Sequence, residues 1–572
     1  MCSGNYEEIL SQKSSKTQEK VMERKFEAPG PGAWTLDTTH SSSAMTVYSS
    51  QCFEGLPRGF HESLEKYGIL LDRVQPAFIH GFFFAQQVGL MGKPGGGPPP
   101  KWLMQLMFKV HPKLRSRVNA AHDAIESRRW LKDLAEWDAL KKDSIERNTA
   151  LQSIELAKLD RTELIAHLDA CFENAEEMVY RHHKFSVGSL MPIGRFLDVA
   201  TRTSGLSAVE VALLLKGSTP VSKGIGGEQL KAVVDAVAAA GIDKKDLQHQ
   251  EPEATLNGLR ENSQINAALE SYLVITGHML IGGYCISEKI LRESENIIMA
   301  RIFEAMEPAS ESGFDTELEK TIREKIPEDD RVDFDLCLGD ARAANRMRDE
   351  RGIYNDIWGA GISRCAILEA GRRLFEEGLL SNAELSLDAS NDELIGLLKG
   401  DNRITDDALS QRREWRLTKN IDEVPEFLGD PPADPPPLEL FPVKIQPALR
   451  AFGLVMGNVF DEPREATKKI KGLAVSPGVY EGTAKVILST RDFDRLEKGD
   501  ILVTKNTSAG FNVVLPIIGA LVTDRGGILS HAAIVSREFG IPGVVGTKNA
   551  SQLISDGDKI RVNGDTGEVE IL

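Results

Sequence analysis

The residues most able to do chemistry stand in one short string, Thr523-Asp-Arg-Gly-Gly-Ile-Leu-Ser-His531. A glycine-rich turn runs into Ser530, which reads as the N-cap of a short helix, so His531 falls in the first helical turn. Gly526 and Gly527 supply backbone freedom and clearance for a bulky anion. The free N–H groups and partial positive charge of a helix start favour a phosphate dianion and disfavour imidazolium. The ring is then neutral near pH 7, and a neutral imidazole nitrogen can attack phosphorus and hold a phosphoryl group through a labile N–P bond. Thr523 and Asp524 open the same loop. Spacing alone also fits a histidine that merely caps a core helix.

A site that passes phosphate onward needs cations for the phosphoryl oxygens and a base for the acceptor's proton. The richest candidate is Asp340-Ala-Arg-Ala-Ala-Asn-Arg-Met-Arg-Asp-Glu-Arg-Gly-Ile-Tyr354. On a helix Arg342 and Arg346 share one face, Arg348 and Arg351 another, and Glu350 lies among them. The same pattern describes a solvated helix laced with arginine–acid pairs. His278 and His80, each in an apolar stretch, are possible bases, and each also reads as a satisfied core histidine. No cluster has metal-ligand spacing, so no metal site is expected.

These residues must be held by two kinds of element. Ala520-Leu-Val-Thr523 reads as a buried strand entering the turn, and the helix after it buries Ala533, Ile534 and Val535 before Gly540 and Pro542 stop it. Short β-rich runs such as Ala484–Leu488 and Ile501–Thr504 surround it. Residues 33–424 read instead as mainly helical. Asp160…Glu163 and Ser207…Glu210 are capping boxes, and Leu164, Leu168, Cys171, Phe172, Ala175 and Val179 form an apolar stripe. The aromatic run Phe78–Phe84 reads as helical core, and the glycine clusters at 92–97 and 224–227 as loops. Residues 1–32 read as a polar tail. Residues 425–466, rich in proline and acid, read as a linker and hinge.

The expected fold is therefore multidomain: a mainly α-helical domain (33–424), a linker (425–466) and a β/β/α domain carrying the histidine (467–572). A formal charge of −17 argues against nucleic acid or an anionic membrane as partner. Six scattered cysteines without a Cys-x-x-Cys pair, no apolar span and a polar N-terminus predict a cytoplasmic location.

From Thr523 to Gly546 the chain resembles the swivelling phosphohistidine domain of the phosphoenolpyruvate-utilising enzymes. These include phosphoenolpyruvate synthase, pyruvate phosphate dikinase and rifampin phosphotransferase. The pattern Thr-Asp-x-Gly-Gly-x-x-Ser/Cys-His-Ala-Ala-Ile-x-x-Arg-Glu-x-Gly-Ile-Pro-x-Val-Val-Gly matches at each position. The resemblance extends over Gly472–Leu572, including Gly472-Leu-Ala-Val-Ser-Pro-Gly478, Asp556-Gly-Asp558 and Asn563-Gly564. It departs at Leu529, where plant-type dikinases carry a regulatory threonine, and at Thr507-Ser-Ala509, where the family often has Thr-x-Pro.

The resemblance implies that His531 is phosphorylated from ATP with Mg²⁺. The order of parts resembles rifampin phosphotransferase, loosely matched over 34–440, without its ATP-grasp domain, and subunits of phenylphosphate synthase and similar phenol kinases. ATP and Mg²⁺ would then sit mainly on a separate ATP-grasp subunit. The acceptor would be an organic hydroxyl, a phenol in aromatic degradation first. The alternatives are a rifamycin-like antibiotic hydroxyl and a regulatory phosphocarrier with a protein acceptor. By the same resemblance Arg348 falls on the arginine of a family Arg-Glu-x-x-Lys stretch, whose lysine has no clear counterpart here.

Overall fold

The computed structural model describes residues 24–38, 43–91, 100–219, 225–247, 251–306, 314–401, 403–431, 436–457, 470–488, 490–507, 511 and 514–572. Most of the predicted tail, most of the 92–100 loop, and 432–435 and 458–469 of the predicted linker lie outside them.

The helical part is built on five long helices: α1 (Trp130–Gln152), α2 (Arg161–Lys184), α3 (Ser186–Ser204), α4 (Arg331–Arg351) and α5 (Trp358–Glu376). Asp160 and Glu163 close the expected capping box at the start of α2. Leu164, Leu168, Cys171, Ala175 and Val179 are buried along one side of it, against α5. Between α4 and α5 the chain continues through a six-residue π-helix, Gly352–Ile357, without breaking the rod. Such wide turns are rare and concentrate at functional sites.

The aromatic run departs from the helical expectation. Strands β1 (Ala33–Leu36), β2 (Leu71–Ile79), β3 (Phe82–Gly89) and β4 (Phe427–Gly429) form an antiparallel sheet in the order β2-β3-β1-β4. His80 and Gly81, with φ of 53° and 87°, make a two-residue turn in which both residues need positive φ. Alternation sends Phe82 and Phe84 into a core with Trp34, and Phe83 into another with Phe53. Both faces of β3 are apolar because both are covered, which removed the polar alternation that marks a strand.

Part of the predicted linker also folds. Helix α6 (Gln446–Gly457) packs on α3, where a Cβ on Gly194 would lie 2.0 Å from the carbonyl oxygen of Ala451. Gly194→Ala is expected to destabilise the fold by about 1–3 kcal/mol through overpacking, despite alanine's better helix propensity. A fall in thermal midpoint checks it.

The C-terminal domain is an eight-stranded sheet: β5 (Ile470–Lys471), β6 (Leu473–Ser476), β7 (Val479–Val486), β8 (Ile501–Thr504), β9 (Ala520–Thr523), β10 (Gly543–Val545), β11 (Lys559–Asn563) and β12 (Glu568–Ile571). Its order is β5-β12-β11-β7-β8-β9-β10-β6. The central four strands, β7 to β10, are parallel. Side chains alternate across it: Ile501, Val503, Ala520 and Val522 fill the inner core, while Leu502 and Leu521 face α7 (His531–Phe539). Helix α7 is the crossover between β9 and β10, so His531 lies beyond the carboxyl end of a central parallel strand, where such sheets build sites.

This domain sits on the helical part. One apolar cluster includes Ile528, Leu529 and Ala532 from it and Phe196, Leu214 and Leu338 from the helices. Lys505 pairs with Asp422 at 2.7 Å, Asn506 donates to the Thr38 carbonyl, and the Gly217 N–H donates to Glu538 at 2.8 Å. No helix among the described residues is long and apolar enough to cross a membrane.

Candidate active site

Ser530 caps α7, accepting from the Ala533 N–H at 3.3 Å, and Gly540 ends the helix with φ 66°. His531 is the first helical residue. The two carbonyls before Ser530 are each held by a guanidinium. Arg537, in the last turn of the same helix, donates to Ile528 at 2.8 Å, and Arg348, on α4, donates to Leu529. The loop is thus fixed partly by its own domain and partly by the helical one.

The His531 Nδ1 lies 2.8 Å from the Thr507 hydroxyl. Thr507 follows β8 as His531 follows β9, so adjacent parallel strands deliver the pair. Burial first, and then the positive charge of Arg348, push the His531 ring down to about 3 from its ordinary 6.5. The ring is therefore neutral throughout the physiological range when docked.

Two expectations follow. Thr507→Val keeps the shape and removes the hydrogen bond, leaving Nδ1 without its partner. Phosphorylation of His531 is expected to slow about tenfold, for a loss near 1.4 kcal/mol, read as a single-turnover rate. The second concerns docking. An undocked His531 of ordinary pKa takes up a proton below pH 6.5 that the docked ring refuses. Docking is thus fully favoured above pH 6.5 and loses ground as pH falls from there toward 3. Distance measurements between labels on the two domains, taken against pH, check that sign.

The other residues singled out from sequence divide sharply. Thr523 turns its hydroxyl to the Arg525 carbonyl at 2.8 Å, away from the ring. Asp524 is buried and binds the Ser551 N–H at 2.9 Å and the Ser551 hydroxyl, so it fixes the loop to the next helix (Ala550–Leu553); burial holds its carboxyl above the ordinary value. Gly526 has φ 121°, and a Cβ there would lie 2.8 Å from the Ser530 hydroxyl. Gly527 receives the Ser530 N–H on its carbonyl at 3.0 Å. These four residues shape the loop, and none of their side chains is in hydrogen-bond contact with the ring.

Among the arginines, Arg342 donates to the Leu214 carbonyl and pairs with Glu319 at 2.7 Å. Arg346 pairs with Asp138 and, at 2.9 Å, with Glu350, which also receives Trp137 and Lys141 from α1. Arg342, Arg346 and Glu350 therefore lace helices together and do not face His531. His278 is half-buried, pushed down to about 4 by desolvation and Arg292, and no described contact joins it to His531. His80 is the hairpin turn, its Nε2 2.9 Å from the Lys25 carbonyl and its own carbonyl bound by Trp415.

Arg348 and Arg351 remain. Burial lowers the pKa of both, that of Arg351 to about 10, and each depresses its neighbours. The Arg351 Nη1 donates to the His182 carbonyl and the Ser186 hydroxyl, both at 2.9 Å. Among the described residues, Arg348 Nη1, Arg351 Nε and both polar atoms of Asn355 are buried without partners. Next to them lie Tyr284, Asp349, and His182 with its Nδ1 2.7 Å from Asp356 Oδ2. Unsatisfied buried donors are rare in proteins, and several together call for water or a bound group.

Sequence reasoning gave no role to Thr507, Asn355, Asp356 or His182. A signal existed for His182: it prolongs the buried Cys171, Ala175, Val179 stripe, which puts a polar ring at an inward position. Among the described residues no group of His, Cys, Asp and Glu side chains could hold a metal ion.

A capped histidine thus stands beyond a central parallel strand, in a β/β/α domain set against the helices. Residues 496–567 match the family described as the PEP-utilising enzyme, mobile domain. It is 50% identical over 110 residues to rifampicin phosphotransferase of Bacillus cereus, covering 19% of this chain and 12% of that one. It is 45% identical over 108 residues to a probable phosphoenolpyruvate synthase of Archaeoglobus fulgidus, covering 19% and 14%. It is 29% identical over 242 residues to the uncharacterized phosphotransferase YvkC of Bacillus subtilis strain 168, covering 42% and 27%. Most of that last similarity lies outside residues 496–567. The chain spans roughly an eighth to a quarter of the length of these relatives.

Proposed function

We propose that this chain is the acceptor-binding and carrier part of an ATP-dependent phosphotransferase, in which His531 takes a phosphoryl group and passes it to an organic hydroxyl held at Arg348 and Arg351. The observation that carries this reading is the meeting of His531 with a buried, partly unsatisfied guanidinium from the other domain. A phosphoryl group on His531 would bring three oxygens sharing its negative charge to donors that have no acceptor among the described residues. With Thr507 on Nδ1, phosphoryl chemistry falls to Nε2. The N–P bond breaks as the acceptor oxygen attacks in line, and the electron pair stays on the ring nitrogen.

Loading needs a different place. The docked loop is held by Arg348 of the helical part, and in this reading the domain leaves the helices to be charged. We place ATP and Mg²⁺, which would supply the phosphoryl group and neutralise its charge, mainly on a separate ATP-grasp subunit. A phenol is the favoured acceptor. Its support is the pile of flat rings beside the arginines, with His182 on His183 at 4.5 Å and His183 on Phe60 at 4.7 Å. The rifampicin enzyme's match covers too little of that protein to bring its acceptor here.

The test is intact-mass analysis after Mg-ATP, with and without a candidate ATP-grasp partner, followed by acceptor screening with simple phenols. An acid-labile adduct on His531 that requires the partner, and disappears with a phenol as a phosphate ester forms, is the expected result. No adduct with a partner of proven activity would overturn the reading.

A further inference from the structure

The acceptor's proton must go somewhere, and neither histidine picked from sequence is placed to take it. We infer that His182, oriented by Asp356, is the general base for the acceptor hydroxyl; this rests on the phosphotransfer reading above. His182 closes α2 and Asp356 lies in the π-helix, 174 residues later, with Nδ1 and Oδ2 2.7 Å apart and both side chains buried. The carboxylate fixes the Nδ1–H tautomer and leaves Nε2 as the basic nitrogen, the division of labour of a histidine–aspartate pair in acyl transfer.

Its surroundings are those of a reacting site. The main chain of His182 is tied to Arg351 at 2.9 Å, and Arg351 is electrostatically coupled to Arg348, the residue that holds the loop of His531. The pair and the carrier histidine are thus linked through two arginines three residues apart on one helix. Gly352 keeps the intervening space open: a Cβ there would stand 3.4 Å from the Tyr284 hydroxyl and 3.5 Å from His182 Cε1, in contact with both. The fully buried Asn355, with neither polar atom satisfied among the described residues, stands on the same wide turn. The π-helix is what allows Arg351, Gly352, Asn355 and Asp356 to crowd one side of the rod.

In the transfer step the acceptor O–H proton passes to His182 Nε2 as its oxygen bonds to phosphorus. The P–N bond to His531 breaks, its electron pair remaining on the ring. The products are a phosphate ester, neutral His531 and a His182 imidazolium stabilised by Asp356, which later releases its proton to water. Groups facing His182 are Asp356 and Tyr284, Arg351 and the stacked His183; Arg348 and Asp349 lie one shell further. In this role His182 touches substrate, and Asp356 is a positioning residue.

The experiment charges the full chain chemically with phosphoramidate, so that no partner is needed, and uses His531→Ala to identify the signal from His531. Decay of the His531 adduct is then followed in water alone and with added phenol across pH 6 to 9. The pair acts on whichever hydroxyl occupies the site, water included, so the comparison does not depend on the natural acceptor. His182→Gln and Asp356→Asn are expected to load normally and to slow decay about 100-fold or more. Asp356→Asn should also remove the rise in rate with pH that a titrating His182 gives. His80→Asn, altering a histidine of the β2–β3 turn that makes no described contact with His182 or His531, should leave decay unchanged. Equal decay in wild type and both variants, or equal slowing by His80→Asn, overturns the inference. Failure of wild type to load at His531 would instead overturn the phosphotransfer reading itself.

Discussion

Replacing His531 by alanine or glutamine is expected to abolish acceptor phosphorylation, a loss of at least about 10⁴-fold, because the covalent route has no substitute nucleophile. Ser530, its neighbour, is committed to capping α7, and Thr507 sits against Nδ1, on the far side of the ring from the proposed phosphoryl nitrogen. The fold should survive. The loop is held by Arg537, Arg348 and Asp524, and the ring is only half-buried, so thermal midpoints should shift little. Glutamine separates shape from chemistry, since it can hydrogen-bond Thr507 yet cannot carry phosphate. Measurable product from the glutamine variant would mean direct transfer from donor to acceptor.

Arg348→Ala is expected to lower transfer to the acceptor about 100- to 1000-fold, as the loss of one preorganised donor at a developing charge does elsewhere. Loading of His531 should be spared, because charging occurs away from the helices. Arg348→Lys should recover only part of the loss, since an ammonium cannot hold the Leu529 carbonyl and a phosphoryl oxygen in the same fork. Removing the charge should also let the docked His531 ring rise from about 3 toward its ordinary value, so that docking loses less as pH falls below 6.5. Equal losses in loading and transfer would mean that Arg348 only holds the domains together.

The frame of His531 was readable because its determinants are local. A glycine turn, a serine cap, three buried apolar residues and a terminal glycine stand at fixed offsets within eighteen residues, from Thr523 to Gly540. The arginine string was readable as a cluster and not as a site. Periodicity paired Arg348 with Arg351, but only tertiary packing turns that face to His531 and gives Arg346 to Asp138. Thr507 meets His531 across 24 residues and His182 meets Asp356 across 174, and no local pattern reports such pairings. His80 misled because its neighbours are apolar on both faces of β3, while its own positive φ marks it as a turn.

The wide turn at 352–357 has a consequence for phase. An α-helix advances about 100° per residue, so one residue absorbed into a wider turn offsets everything after it by about that angle. Helix α4 can therefore aim its seam at α3 while α5, on the same rod, aims its own at α2. Deleting one residue from this turn would restore a regular helix and rotate one half against the other. Either the two seams would fall out of register with their partners, or Arg348 would swing off His531. The rod works as a keyed shaft, and the position of its key decides which way the arginines point.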